Sequence, residues 1–282
     1  MTVEVTPIMD ADVAAVVDFL HANHNDRVPW AQACSAAPWK ADAPNHGFML
    51  RDGRRIVGTL LALYSERLVA GRVERICNMG SWCVLPDYRS RSISLLNALL
   101  KQDGYNFTTL SPAEGPQEVL AWLKFRHLDT SAVLVPNLPW PVLPGRTSIS
   151  ADPSVITRTL AGSDLKVYRD HAQAMATHHL VLVRRQETCH VMYRKSRYKG
   201  APLFALLLHV SNPELFHQAL IPLTRHLLVR HGLVATLAEL RTIEYRPTLA
   251  FTLNNWPKMY RSDHLEPGQI DYLYSELACV PW

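Results

Sequence analysis

Residues 84–94 read V-L-P-D-Y-R-S-R-S-I-S, and the character of the sequence changes across them. Before them, R-I-C-N-M-G-S-W-C-V is an apolar run of strand length, which Pro86 ends because proline has no amide hydrogen for a central ladder. After them, Ile93, Leu95, Leu96, Leu99 and Leu100 recur at helical spacing, so residues 92–100 are expected to form a helix with one buried face. A strand that runs through a short loop into a helix brings unpaired backbone N–H groups and the positive end of the helix dipole to one place. Arg89 and Arg91 stand in that loop, a combination that suits a phosphate or pyrophosphate group. The competing reading is a proline-ended strand followed by a core helix with no ligand.

Upstream, residues 3–6 alternate as a short strand, and Asp10 or Asp12 can cap a helix that carries Val13, Val16, Val17 and Leu20. Residues 23–45 hold tryptophans, prolines and alanines without a sustained period, which suits irregular helix and loop lying over a cleft or on plain surface. Residues 47–50 and 55–64 flank Asp52-Gly53, a strong signal for a hairpin. Downstream, Y-N-F-T-T-L after Gly104 is a strand, and residues 118–125 a short helix.

N-L-P-W-P-V-L-P-G at residues 137–145 has three prolines and cannot be regular helix or central strand. It divides the chain into residues 1–136, a linker at 137–154, and residues 155–282. Beyond the linker the order of elements begins again: helix 164–175, strands 179–184, 188–194 and 203–210, helix 214–231 and strand 233–240. The echo is one of element order and not of residue identity.

With 48% hydrophobic and 19% charged residues, the 282-residue chain can bury a sizeable core. A net charge of +4, spread without long runs, permits an anionic ligand but lacks the dense basic face that nucleic acid needs. Five cysteines, with no C-x-x-C pair and no His/Cys spacing suited to zinc, read as reduced thiols, and no metal is expected. No basic segment followed by an apolar stretch opens the chain, and no apolar window is long enough to span a bilayer. The expectation is a cytoplasmic protein without membrane insertion.

The segment at 84–94 resembles the acyl-CoA signature of the GNAT superfamily, in which a strand ending V-x-P-x-Y/F-R runs into R/Q-x-x-G-x-G/A at a helix start. Arg89 matches the first motif position, while Ser92 and Ser94 occupy the glycine positions. The strand at 105–110 and W-L-K-F-R-H-L resemble the fifth strand and fourth helix of that superfamily, with Lys124 in place of a glycine and Leu120 where members often carry an acidic tyrosine. The resemblance covers most of residues 1–129 and extends more weakly to the second half, where S-N-P-E-L-F replaces the phosphate loop. It implies an α/β (α+β) chain of two GNAT-like halves, each a mixed, largely antiparallel sheet flanked by helices, the second without CoA binding.

By the same resemblance, acetyl-CoA or another acyl-CoA is the co-substrate. Backbone at Trp82, Cys83 and Val84 would hold pantetheine, and Arg89, Ser90, Arg91, Ser92, Ile93 and Ser94 would surround the phosphates. The acceptor would be an amine, or a hydroxyl, of a small metabolite or sugar, and a homodimer is compatible with the pattern. Asn78 stands where some members carry a glutamate base, and Glu74 is the nearest carboxylate on that segment. A water relay, His21 and His24 stay open as proton acceptors. Cys83 reads as an inert thiol, since no histidine adjoins it in sequence. The reading from another class is a degenerate fold that binds a ligand or serves in assembly.

Overall fold

The computed structural model describes residues 3–35, 37–141, 147–253 and 256–281. The chain forms two compact units: Met1–Leu128 with Pro257–Ile270 and Tyr274–Trp282, and Asp129–Trp256 with Asp271–Leu273. In chain order the strands and helices are β1 (Val3–Pro7), α1 (Val13–Asn23), α2 (Trp30–Ser35), β2 (Gly47–Asp52), β3 (Arg55–Val69), β4 (Arg72–Val84), α3 (Ser92–Leu100), β5 (Asn106–Thr109), α4 (Glu114–Trp122), β6 (Arg126–His127) and β7 (Ala132–Pro136). They continue as β8 (Ser148–Ser150), α5 (Pro153–Thr159), α6 (Gly162–His171), β9 (Thr177–Arg184), β10 (Glu187–Tyr198), β11 (Ala201–Val210), α7 (Pro213–Gln218), α8 (Leu220–His231), β12 (Ala235–Glu239), α9 (Leu240–Ile243), β13 (Phe251–Leu253), β14 (Met259–Arg261) and α10 (Glu276–Cys279).

Each unit is a seven-stranded mixed sheet flanked by helices, as the sequence resemblance implies. The first sheet runs β1-β2-β3-β4-β5-β14-β6 and the second β8-β9-β10-β11-β12-β7-β13, the same plan with one strand exchanged. The sixth place in each sheet is filled from the other half of the sequence, by β14 in the first and β7 in the second. The first unit therefore closes at Leu128, before residue 136, and recovers its missing strand only at Met259–Arg261. Of the expected linker, residues 142–146 lie outside the described residues. The rest is structured: Asn137 is buried and donates to the Leu233 carbonyl at 2.9 Å, Ser148–Ser150 is a strand, and Asp152 caps α5 by accepting from the Ser154 N–H.

In the first unit the D-G turn does close the β2–β3 hairpin, with Asp52 opposite Arg55. Gly47 is required at the start of β2, because it sits at φ +112° and a Cβ there would come within 2.1 Å of the Leu60 carbonyl oxygen. Helix α3 buries Leu95, Leu96 and Leu99 against Cys77 and Met79 of β4 and Phe107 of β5. Each such leucine contributes about 1.5–3 kcal/mol of burial, which fixes the helix on this face of the sheet. Helix α4 begins and ends about four residues earlier than its apolar spacing suggests. It stops because Lys124 takes φ +67°, the left-handed conformation a glycine would supply, while the Phe125 N–H returns to the Leu120 carbonyl.

In the second unit the single expected helix at 214–231 is two helices broken at Ala219. Its core gathers Leu180, Leu182, Val191, Leu207, Leu215, Phe216, Leu223 and Leu227 between sheet and helices.

Candidate functional site in the first unit

Strands β4 and β5 pair in parallel only at Ile76–Asn106, Cys77–Phe107 and Asn78–Thr108. Beyond Asn78 the ladder has no further rungs, yet β4 continues to Val84. On its other side, β4 pairs with β3 at Gly80–Leu61 and again at Cys83–Thr59, so three steps on β4 match two on β3. That mismatch is a β-bulge, and Ser81 within it stands at φ +52°. A bulge bends and twists its strand, and here it lies just past the last rung to β5. Backbone groups on the β5 side of β4 are thereby taken out of the sheet and left to serve something else.

Trp82, Cys83 and Val84 lie on this freed stretch. The Trp82 ring nitrogen is buried without a hydrogen-bond partner, and Val84 packs on the core. The Cys83 thiol lies 3.5 Å from the Asn23 carbonyl oxygen, and burial raises its pKa, so it is no ready nucleophile.

The loop that follows is a 3-10 helix, Pro86–Arg91, running straight into α3. It is tied back to the hairpin by the Tyr88 hydroxyl, which donates to Asp52 at 2.8 Å. Arg89 and Arg91 are exposed and make no ion pair among the described residues; Ser90 is exposed beside them. The Ser92 N–H donates to the Arg89 carbonyl and the Ser94 hydroxyl to the Arg91 carbonyl at 2.6 Å. The Ser92 N–H and the Ser94 hydroxyl are thus both engaged by the chain itself. Ile93 is half-buried at the first turn of α3.

Asn78 is buried at the last rung. Its Nδ2 donates to the Thr108 hydroxyl at 3.1 Å and its Oδ1 accepts the Glu276 N–H at 2.8 Å, so both ends of the amide are engaged. Glu74 lies near the opposite end of β4, about 20 Å from the bulge at the rise of a strand. It accepts from His264 at 2.8 Å and from Asn106 at 3.1 Å. The His264 hydrogen bond, then that of Asn106, holds its pKa below the ordinary carboxylate value. The structure therefore brings Asn78, but not Glu74, to the parting of β4 and β5. His24 stacks on Trp30 with ring centroids 5.4 Å apart, and burial lowers its pKa.

The carboxylate at the parting is Glu276, which the pattern of residues did not single out. It lies in a short helix whose main chain is anchored on Asn78, and it faces Gly80, where an added Cβ would stand 3.3 Å from the Glu276 Cβ. Its Oε1 accepts the Leu110 N–H at 2.8 Å and the Ser111 hydroxyl at 3.0 Å, while Oε2 is buried without a partner. Burial raises its pKa, opposed by the hydrogen bonds from the Leu110 N–H and the Ser111 hydroxyl. The one available signal was a single acid in the otherwise apolar Y-S-E-L-A-C-V.

Among the described residues no helix is long and apolar enough to cross a membrane, and no group of three or more His, Cys, Asp or Glu side chains is arranged to hold a metal. No protein-family model matches the sequence, and no curated protein matches it. Solved structures do. A GCN5-related N-acetyltransferase from Anabaena variabilis superposes with a TM-score of 0.61 at 10% identity, covering 92% of this chain and 72% of that one. A probable N-acyltransferase from Enterococcus faecalis V583 gives a TM-score of 0.59 at 13% identity, over 93% and 73%. A protein from Pyrococcus horikoshii described as a putative acetyltransferase gives 0.53 at 11% identity over 98% and 95%. The parted parallel strands and the strand-loop-helix beside them belong to a mixed α/β architecture that these structures share. The chain has the fold of the GCN5-related N-acetyltransferases, laid out in two sheets of one strand order.

Proposed function

We propose that the first unit is an acyltransferase that moves an acetyl or other acyl group from acyl-CoA to an amine, or to a hydroxyl, of a small metabolite or sugar. The observation that carries this reading is the bulge at Ser81, just beyond the last β4–β5 rung, followed by a connection that presents the exposed Arg89 and Arg91. An amide-bearing chain such as pantetheine can hydrogen-bond to backbone that the sheet has released. Arg89 and Arg91, unpaired at the start of α3, would meet the phosphates, with Ser90 and Ile93 flanking them. Direct attack by a bound acceptor then needs mainly positioning and removal of one proton. Asn78 in this reading positions other groups, since an amide is no base near neutral pH, and Glu74 is a structural partner of His264.

A second reading, a non-catalytic fold used for binding or assembly, is favoured by the inward hydrogen bonds of Ser92 and Ser94. Calorimetric titration with acetyl-CoA, then with longer acyl-CoA thioesters, separates the two. Saturable binding with a rise in melting temperature, equivalent to about 2.7 kcal/mol at a ligand concentration one hundred times Kd, is expected of the transferase. Absence of binding at millimolar thioester leaves the second reading.

A further inference from the structure

We propose that Glu276 is the proton acceptor of the transfer reaction, working on the face of the sheet opposite α3. This rests on the acyltransferase reading above. Successive side chains of a strand point to opposite faces. Cys77 and Met79 pack against Leu95, Leu96 and Leu99 of α3, so Asn78 and Gly80 face the other way, toward Glu276. A thioester whose phosphates lie at the start of α3 enters the gap between β4 and β5 from the α3 face. An acceptor that approaches the carbonyl from the opposite face would meet the Glu276 carboxyl, which stands at the tip of β5.

Three features suit that carboxyl to the task. Oε1 is held by the Leu110 N–H and the Ser111 hydroxyl, so the group is fixed in orientation, while Oε2 has no partner and no water access. A buried polar atom left unmatched costs free energy, so its persistence at a parting of strands calls for a reason. Burial also brings the acid closer to the range in which it can take and return a proton. The titratable neighbour that interacts with it is Cys279, whose thiol burial pushes up to about 12, leaving it neutral. Asn78 and Ser111 are the side chains hydrogen-bonded to this residue, and neither is charged.

The step balances without a further reagent. The lone pair of a neutral amine attacks the thioester carbonyl carbon and the C–N bond forms. The C–S bond breaks, with its electron pair going to sulfur, as the amine proton passes to the Glu276 carboxylate. The carboxylic acid so formed returns that proton to the thiolate, leaving amide, free thiol and carboxylate.

Glu276→Gln tests this in the full chain, because glutamine keeps the oxygen that accepts from Leu110 and Ser111 and loses only the proton chemistry. Acetyl-CoA affinity is measured by calorimetry, and thiol release from acetyl-CoA is followed across pH with glucosamine, spermidine and hydroxylamine as probe amines. The expected result is an acetyl-CoA Kd within about twofold of wild type, a kcat lower by about 10²–10⁴, and loss of the rising limb of the wild-type pH profile. Glu276→Asp should retain part of the rate. Wild-type kcat and pH profile in Glu276→Gln overturn the proposal, as does a wild-type chain that binds acetyl-CoA but accelerates none of the amines. A wild-type chain that binds no acetyl-CoA overturns the acyltransferase reading itself, and the role of Glu276 with it.

Discussion

Strand β4 leads to α3 and strand β11 leads to α7 at equivalent places in two sheets of one plan, but the two connections are built for different ends. Both strands belong to a short parallel pair: β11 meets β12 only at Phe204–Ala235, Ala205–Thr236 and Leu206–Leu237. Both carry a bulge just past it, since Tyr193 pairs with Leu207 and Met192 with His209, leaving Leu208 extra. In the first unit seven residues, Leu85–Arg91, intervene and present two exposed arginines. In the second only Ser211 and Asn212 do. Asn212 accepts the Leu215 N–H at 2.9 Å, Pro213 has no N–H to offer, and Glu214 puts a negative charge in the first turn. The dipole end that could meet an anion is capped and countered. Bulge and parting thus follow from the sheet plan, whereas fitness for a phosphate depends on the connection.

The largest expected difference between the units is their response to acid. Five histidines of the second unit have pKa values lowered by burial, His178, His179 and His226 to about 4, His190 to about 2, and His231. In the first unit His24 alone among the described residues shows such lowering. His179 and His190 stack with their ring nitrogens 3.0 Å apart, near Tyr168, His171 and His209, while Lys195 adds charge beside His178 and His231. Between pH 6.5 and about 4 the unfolded chain binds more protons at these sites, so stability falls as pH falls. Glu276 acts oppositely in the first unit: its raised pKa means that the folded state binds the proton more readily, so stability rises as pH falls toward 4.5. Glu74, with a lowered pKa, loses its contribution only below 4.5. Urea unfolding followed by amide exchange, corrected for intrinsic rates, should show the second unit weakening first between pH 7 and pH 5, a range set about the ordinary histidine pKa. Equal weakening would remove this contrast.

Next in size is the effect of the exposed arginines. Replacing Arg89 and Arg91 together by alanine should weaken acetyl-CoA binding about a hundredfold, at the lower end of about 1.5–3 kcal/mol for each charge-assisted contact. The melting temperature should not move, because neither side chain makes an ion pair among the described residues. Unchanged calorimetric affinity would show that the first connection binds no phosphate either.

Asn212→Ala sharpens the contrast from the other side. It should cost about 1 kcal/mol by removing a helix cap, seen as earlier urea unfolding of the second unit, with acetyl-CoA affinity unaltered. The smallest effect is expected of Ser92→Gly, which removes a Cβ near the approach to α3 at a helix cost of about 0.5–1 kcal/mol. Affinity should stay within about twofold or tighten, and a large loss would mean that the serine itself contacts the ligand.

What was legible in the sequence is local. The D-G hairpin, the strand that ends at Pro86 and the leucines of α3 announce themselves through turn chemistry and periodicity, which operate between near neighbours. Lys124 was visible as a departure from glycine, but only the backbone shows that it adopts the left-handed conformation all the same. The break at Ala219 was hidden because the apolar spacing of residues 214–231 runs on through it.

By itself, then, the sequence determined the main strands and helices of each half and their repetition, and it marked Arg89 and Arg91 as candidates for a phosphate. Tertiary structure alone decided which sheet each crossing strand joins, since β7 and β14 are both short apolar segments that carry no mark of their partner. It alone brought Glu276 to Asn78, 198 positions away in sequence. The physical reason is common to both: pairing across such separations is set by which edges and gaps the rest of the fold leaves open, and no periodicity in the chain encodes that.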